Sequence, residues 1–217
     1  MKGDKIVVEE YHARAAAKVV PLVTGRVQAK AGRSVITVAG ESGCGKSETA
    51  RALADLFQAQ GLRALVLAQD DYFVLPPQSN DKRRRADPEW LGPHVEVRMD
   101  LLDANLKDAV EGRPWIVKPL VDYDANTIGE ETVSLEGVRV VIAEGTYTSL
   151  LRHVDTRIFI ARSRRETLAH RQKRNRGGEA ADPFTEQVLE IEHKIIAGHR
   201  SLADFVITKD YDVQAAP

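Results

Sequence analysis

The stretch SVITVAGESGCGKSETARALADLF, residues 34–57, limits the fold more than any other part of the chain. A β-branched run leads into a glycine-spaced turn, and apolar residues at helical spacing follow. The octet GESGCGKS (40–47) fits G-x-x-x-x-G-K-[ST], and a predicted strand before it with a predicted helix after it is the context that gives the motif meaning. The glycines let successive backbone N–H groups point inward as an anion nest. The helix N-terminus adds partial positive charge. Gly40, Glu41, Ser42, Gly43, Cys44, Gly45, Lys46 and Ser47, with Glu48 beyond them, therefore form a candidate nucleotide-binding segment. Lys46 would hold the β- and γ-phosphates and Ser47 would ligate Mg²⁺. Cys44 lies near that helix start, which should favour its thiolate. Thiol reagents are then expected to block nucleotide binding, unless Cys44 is an ordinary variable position.

Four further short apolar runs follow: LRALVLAQ (62–69), GVRVVIAEG (137–145), TRIFIA (156–161) and ADFVIT (203–208). Helical patterns lie between several of them. Short apolar strands alternating with helices argue for a doubly wound parallel sheet. The expectation is an α/β, P-loop NTPase three-layer fold with a five-stranded, mostly parallel sheet. Residues 1–33 read as a helical extension, one or two helices interrupted near Pro21, 34–210 as the main domain and 211–217 as a tail. Two insertions break the rhythm. Residues 74–98 carry the basic run Lys82–Arg85, and 112–137 read as a hairpin around a polar loop. Such insertions usually sit beside the strand carboxyl ends, where ligands bind.

Composition narrows the class. A formal net charge of −1 gives no polycation signature, which argues against nucleic acid as a partner. The single cysteine excludes an intramolecular disulfide and fits a reducing compartment. No apolar run approaches the roughly 20 residues that cross a bilayer, so no membrane partner and a cytoplasmic location are expected. A homo-oligomer is left open.

A phosphate loop selects a nucleotide and not a reaction. A small-molecule kinase, a regulatory GTPase and a motor or transport ATPase all carry one. A GTPase should show N-K-x-D near its fourth or fifth strand, and TKDY (208–211) puts the aspartate one place early. Two acidic positions are candidate site residues, with a turn or strand-end carboxylate as the plain alternative. Asp70 and Asp71 stand side by side after the second strand, and strand alternation would send them to opposite sides. Glu144 ends the third strand, where a carboxylate can face Mg²⁺ or its water. The segment 162–178 is dense in arginine. Arg171 and Arg174 would share a helix face, with Arg176 before the Gly177–Gly178 hinge. Arginines closing over a transferring phosphoryl group stabilise its charge and exclude water. A solvated basic helix is the alternative.

The ordered pieces GESGCGKS, QDDYF, AEG, HRQKRNRGG and ADFVI together resemble the uridine kinase and phosphoribulokinase family of P-loop small-molecule kinases, over about residues 34–208. The resemblance implies ATP- and Mg²⁺-dependent transfer of the γ-phosphoryl to a substrate hydroxyl. It implies Asp70 as base, Glu144 as the metal-linked acid, and Arg171 and Arg174 as lid arginines. Uridine kinases read their nucleoside with a Y-D-F-x-x-H-x-R-like pattern, whereas this chain has LVDYDANTI (120–128). Asp122 and Tyr123 stand where the pattern's Asp and Phe would be, and Asn126 replaces its His. A different small hydroxyl compound, sugar-like, is expected in place of uridine or cytidine. A nucleoside kinase with replaced contacts and a nucleotide-dependent switch remain the alternatives. Tyr72, His94, Asp122, Tyr123, Asn126 and Tyr147, with Asp70, are the candidate acceptor contacts. Tyr72 and Tyr123 could instead pack in the core, and His94 could be structural.

Overall fold

The computed structural model of the 217-residue chain describes residues 1–3, 5–163, 166–167 and 182–216. One sheet organises it, with strand order β2-β5-β1-β6-β7-β8. The strands are β1 (Ser34–Gly40), β2 (Ala64–Ala68), β5 (Val140–Glu144), β6 (Thr156–Ile160), β7 (Phe205–Ile207) and β8 (Val213–Ala215). The first five in spatial order are parallel, and β8 closes the edge antiparallel to β7. The sheet thus has one strand more than the sequence suggests. Three residues of mixed polarity, Val213 to Ala215, are too short for periodicity to reveal them.

Alternation along the strands builds two cores. Ile36, Val38, Val140 and Ile142 face α1 (Glu10–Ala29) and α2 (Lys46–Ala59). Val35, Ala39, Val141 and Ala143 face α4 (Met99–Val110) and the end of α5 (Pro183–Ile196). Helices cover both faces, so the parallel strands read as continuous apolar runs. The helix α1 is a single one through Pro21. Pro21 lacks an N–H and so leaves the carbonyl of Ala17 without its intrahelical bond, but both residues lie on the exposed side, where water can serve that carbonyl. The opposite stripe, Ala15, Ala16, Val19, Val20, Val23 and Val27, is fully buried against α2 and the sheet.

Between β2 and α4 the chain forms α3 (Pro77–Ala86), so the basic run Lys82–Arg85 is helical and not a loop. Between α4 and β5 it forms the antiparallel hairpin β3 (Trp115–Asp122) and β4 (Thr127–Ser134). The hairpin is held to the sheet by a buried ion pair. Lys118 Nζ of β3 donates to Asp71 Oδ2 at 2.8 Å, and Asp71 Oδ1 accepts the Val121 N–H at 3.1 Å. Lys118 is 5 % and Asp71 3 % exposed. Each member has a second partner, since Asp71 also meets the Met1 ammonium at 3.2 Å and Lys118 also meets Glu131 at 2.7 Å, so removing one leaves the other partly compensated. Lys118→Met, which leaves Asp71 with the Met1 ammonium and the Val121 N–H, should therefore lower unfolding stability by about 1–2 kcal/mol, read as a fall in the denaturant midpoint. An unchanged midpoint would show that the hairpin docks without the pair.

Candidate active site

Three loops meet at the carboxyl edge of the sheet. The first joins β1 to α2. It passes through Gly43 (φ 79°) and Gly45 (φ 93°), both left-handed, and delivers Lys46 as the first helical residue. No side chain caps the start of α2, so its leading N–H groups face the loop's interior. The loop is packed tightly from outside. A Cβ on Gly45 would come within 2.6 Å of His12 Nε2 and 2.9 Å of the Tyr211 hydroxyl. Tyr211 in turn donates to the Cys44 carbonyl at 3.3 Å and accepts from Arg162 Nη1 at 2.7 Å. His12 Nδ1 accepts the Glu9 N–H at 3.1 Å, so the proton of a neutral ring sits on Nε2, 3.3 Å from the Tyr211 hydroxyl. The loop's shape is thus fixed by a histidine near the N-terminus and a tyrosine near the C-terminus. The sequence carried no local signal for either.

The second loop follows β2. Gln69–Tyr72 is a 3₁₀ turn and not a strand extension. Successive residues of such a turn point about 120° apart, and this separates Asp70 from Asp71. Asp70 lines the large cavity beside the phosphate loop, whereas Asp71 is buried on Lys118. The expected divergence holds, with helical rotation as its cause rather than strand alternation. Asp71 meets Lys118, a lysine of the 112–137 insertion.

The third loop follows β5. Glu144 is 6 % exposed, and its Oε1 accepts from the Ser47 hydroxyl at 3.1 Å. Burial first, and the charge of Asp70 next, push its carboxyl up to about 7, against the opposing pull of Lys46. Gly145 is obligatory here, because a Cβ would lie 2.2 Å from the Cβ of Gln69. Gln69 Oε1 accepts the Tyr147 N–H at 2.8 Å and ties the second loop to the third.

These groups suit a phosphate chain with a divalent ion. The donors of the loop and α2 supply the anion nest. Lys46 Nζ rests on the Glu41 carbonyl at 3.0 Å, within its own loop. Ser47 and the carboxylates Glu144 and Asp70 gather negative charge that a cation would neutralise. Among the described residues no group of three or more His, Cys, Asp or Glu could hold a metal by itself.

Beside the loop lies a cavity of about 680 Å³. Asp70, Phe73, Asn80, Arg84, Tyr123, Tyr147, Phe184 and Glu192 are among its walls. Of the candidate acceptor contacts, Asp70, Tyr123 and Tyr147 are there. Four are not. Tyr72 is fully buried in the core, its hydroxyl donating to Asn105 Oδ1 at 2.8 Å. His94 is exposed and away from the cavity. Asp122 accepts the Ala125 N–H at 2.9 Å and pairs with Lys2 at 2.7 Å, so it shapes the hairpin turn. Asn126, left-handed at φ 51°, accepts the Gln78 N–H at 2.8 Å and anchors the start of α3. Arg171, Arg174 and Arg176 lie outside the described residues. The sequence missed Gln69, Arg84 and Glu192, because their partners come from distant segments.

The basic run does not form a positive patch. Arg83 pairs with Asp87 at 2.9 Å, Arg84 with the fully buried Glu96 at 2.6 Å, and Arg85 with both Asp81 and Asp182. Cys44 also departs from expectation. It is fully buried under the loop, and desolvation pushes its thiol up to about 11 despite the nearby Lys46.

A phosphate loop at the edge of a parallel sheet, facing a cavity with a carboxylate in its wall, defines a P-loop enzyme of the nucleotide-binding class. The model of the Phosphoribulokinase / Uridine kinase family matches residues 35–208, and the chain belongs to that family. The bifunctional alpha-galactosidase/sucrose kinase of Mediterraneibacter gnavus is 30 % identical over 192 residues, which is 83 % of this chain but only 20 % of that protein. The uridine kinase of Bacillus cytotoxicus is 27 % identical over 80 % of this chain and 84 % of its own length. Among solved structures, a putative fructose transport system kinase from Silicibacter overlays with a TM-score of 0.61 at 19 % identity, covering 94 % of this chain and 97 % of that one. The D-glycerate 3-kinase of Cryptococcus neoformans overlays with a TM-score of 0.63 at 15 % identity, covering 95 % and 99 %. These likenesses extend the fold across nearly the whole chain.

Cys44 supplies a direct check on the loop. With its thiol near 11, roughly one molecule in three thousand carries the thiolate at pH 7.5. Iodoacetamide should leave the native protein unmodified and label it fully in guanidinium, as read by intact mass. Rapid labelling of the native protein would mean that the loop opens.

Proposed function

We propose that the protein is an ATP- and Mg²⁺-dependent kinase that transfers the γ-phosphoryl group to a hydroxyl of a small metabolite. The observation that carries this reading is the convergence of an uncapped helix N-terminus, the Ser47–Glu144 contact and the Asp70-walled cavity at one sheet edge. The loop amides and Lys46 bind the phosphates. Ser47 and Glu144 hold Mg²⁺, which when bound neutralises charge on the phosphate oxygens. Asp70 takes the proton of the acceptor hydroxyl as its oxygen bonds to the γ-phosphorus and the bond to the β–γ bridging oxygen breaks, releasing ADP. By the resemblance, Arg171 and Arg174 cover the transferring group, with Arg176 beside them.

Uridine and cytidine are poor candidates for the acceptor. Asp122 and Asn126, at two positions of the nucleoside-reading pattern, are used to build the hairpin turn and to hold α3. The name of the Mediterraneibacter gnavus relative, a sucrose kinase, supports a polyhydroxyl acceptor, while relatives named uridine kinase keep a nucleoside as the alternative.

Acceptor-dependent ADP release tests the reading. Asp70→Asn should bind ATP normally and lose transfer by about 10²–10⁴-fold, while Lys46→Ala should weaken ATP binding itself. Equal turnover by wild type and Asp70→Asn removes the base assignment. No ADP release with a broad panel of nucleosides, sugars, polyols and vitamins, together with nucleotide-dependent association with another protein, would make the chain a switch.

A further inference from the structure

We propose that Tyr147, Glu192 and Arg84 form a second hydroxyl-reading subsite in the acceptor cavity, and that it selects an uncharged polyhydroxyl compound over an acid or a phosphate ester. The inference rests on the kinase reading and adds a specificity to it. Tyr147 is 2 % exposed and lines the cavity, yet its hydroxyl has no hydrogen-bond partner among the described residues. A buried phenol hydroxyl can donate one bond and accept others, and leaving it unserved is destabilising. In a cavity wall, a ligand group is the natural completion.

Its charged neighbours define that group. Glu192 and Arg84 also line the cavity, and both interact electrostatically with Tyr147. Glu192 is 6 % exposed, with Oε2 accepting from the Ser42 hydroxyl at 2.7 Å. Arg84 supplies donors, but its charge is matched by Glu96 at 2.6 Å. A ligand hydroxyl can give its proton to a carboxylate and take one from a phenol or guanidinium. A carboxylate or phosphate there would face Glu192, and Asp70 farther along the same cavity. The remaining cations do not tip the balance. The Met1 ammonium, also in the wall, is paired with Asp71, Arg85 is paired with Asp81 and Asp182, and Lys82 stands exposed at the rim. Phe73 and Phe184 in the walls offer apolar faces to the C–H surfaces of a polyol.

The experiment uses the full chain with Mg²⁺ and ATP. Initial rates of ADP release are compared for D-fructose, D-sorbitol, myo-inositol and glycerol against D-gluconate, D-glycerate and D-fructose 6-phosphate. The highest kcat/KM should fall on an uncharged acceptor. Tyr147→Phe should raise KM for that acceptor about tenfold, with KM for ATP and the thermal midpoint unchanged or improved. In a deoxy series of the same acceptor, one hydroxyl remote from the phosphorylated one should matter to the wild type and not to Tyr147→Phe. A preference for an acid or phosphate ester, or an unchanged acceptor KM in Tyr147→Phe, overturns the subsite while leaving the kinase reading intact. Absence of transfer to every compound here and to nucleosides and vitamins overturns the kinase reading, and the subsite with it.

Discussion

The register of three parallel strands sets up everything at this site. Glu144 at the end of β5 is level with Val38 of β1 on one side and Ala68 of β2 on the other. The residues that follow each of those positions must therefore emerge together. Two residues past Val38 the phosphate loop begins at Gly40. Two residues past Ala68 stands Asp70. Parallel strands deliver all their carboxyl ends to one edge, and the loops that leave that edge share a crevice. The close approaches are consequences of this packing. Gly145 has no room for a side chain beside Gln69, and Gly45 has none beside His12 and Tyr211. Ser47 can reach Glu144 because α2 starts directly above the strand next to β5.

Charge is sorted by the same geometry. Asp70 and Asp71 are chemically identical neighbours, and only their surroundings distinguish them. The 3₁₀ turn presents one to the cavity and sinks the other onto Lys118 and the Val121 amide. The buried pair fixes the hairpin, and Tyr123 just beyond it becomes part of the cavity wall. The buried aspartate thus helps shape the wall of the cavity that its neighbour lines. Glu144 sits between the two extremes. It is buried like Asp71, but its environment holds Asp70 and Lys46 together, which push its carboxyl in opposite directions.

How much of this the sequence disclosed follows the range of each interaction. The phosphate loop, the buried parallel strands, the hairpin and the carboxylates at strand ends were legible, because each is a local pattern with a fixed period or spacing. Legibility fell where the cause was tertiary. Tyr72 and Tyr123 are equally aromatic and both adjoin aspartates, but one bonds Asn105 in the core and the other reaches the cavity. Asp122 and Asn126 aligned with acceptor contacts and proved to shape a turn. The thiolate expected at Cys44 considered the helix start alone. The β7–β8 region brings Tyr211 onto the loop, and the resulting burial outweighs the nearby positive charge.

The arginines of α3 show why a charge run is a weak guide to a ligand. Read alone, four consecutive cations beside a binding site suggest an anionic acceptor. Yet Arg83, Arg84 and Arg85 each meet a carboxylate, from the same helix, from Glu96 or from Asp182 at the start of α5. Glu96 matters most, because it is fully buried and also accepts from Asn80 Nδ2 at 3.0 Å and the Gly92 N–H at 3.2 Å. Those donors, together with Arg84, fill the acceptor positions of Glu96 and tie it to α3. Across the cavity burial pushes the carboxyl of Glu192 up, and Arg84 opposes that shift. What lines the cavity from this helix is therefore a set of paired cations, a property fixed by pairing in three dimensions and absent from the run of letters.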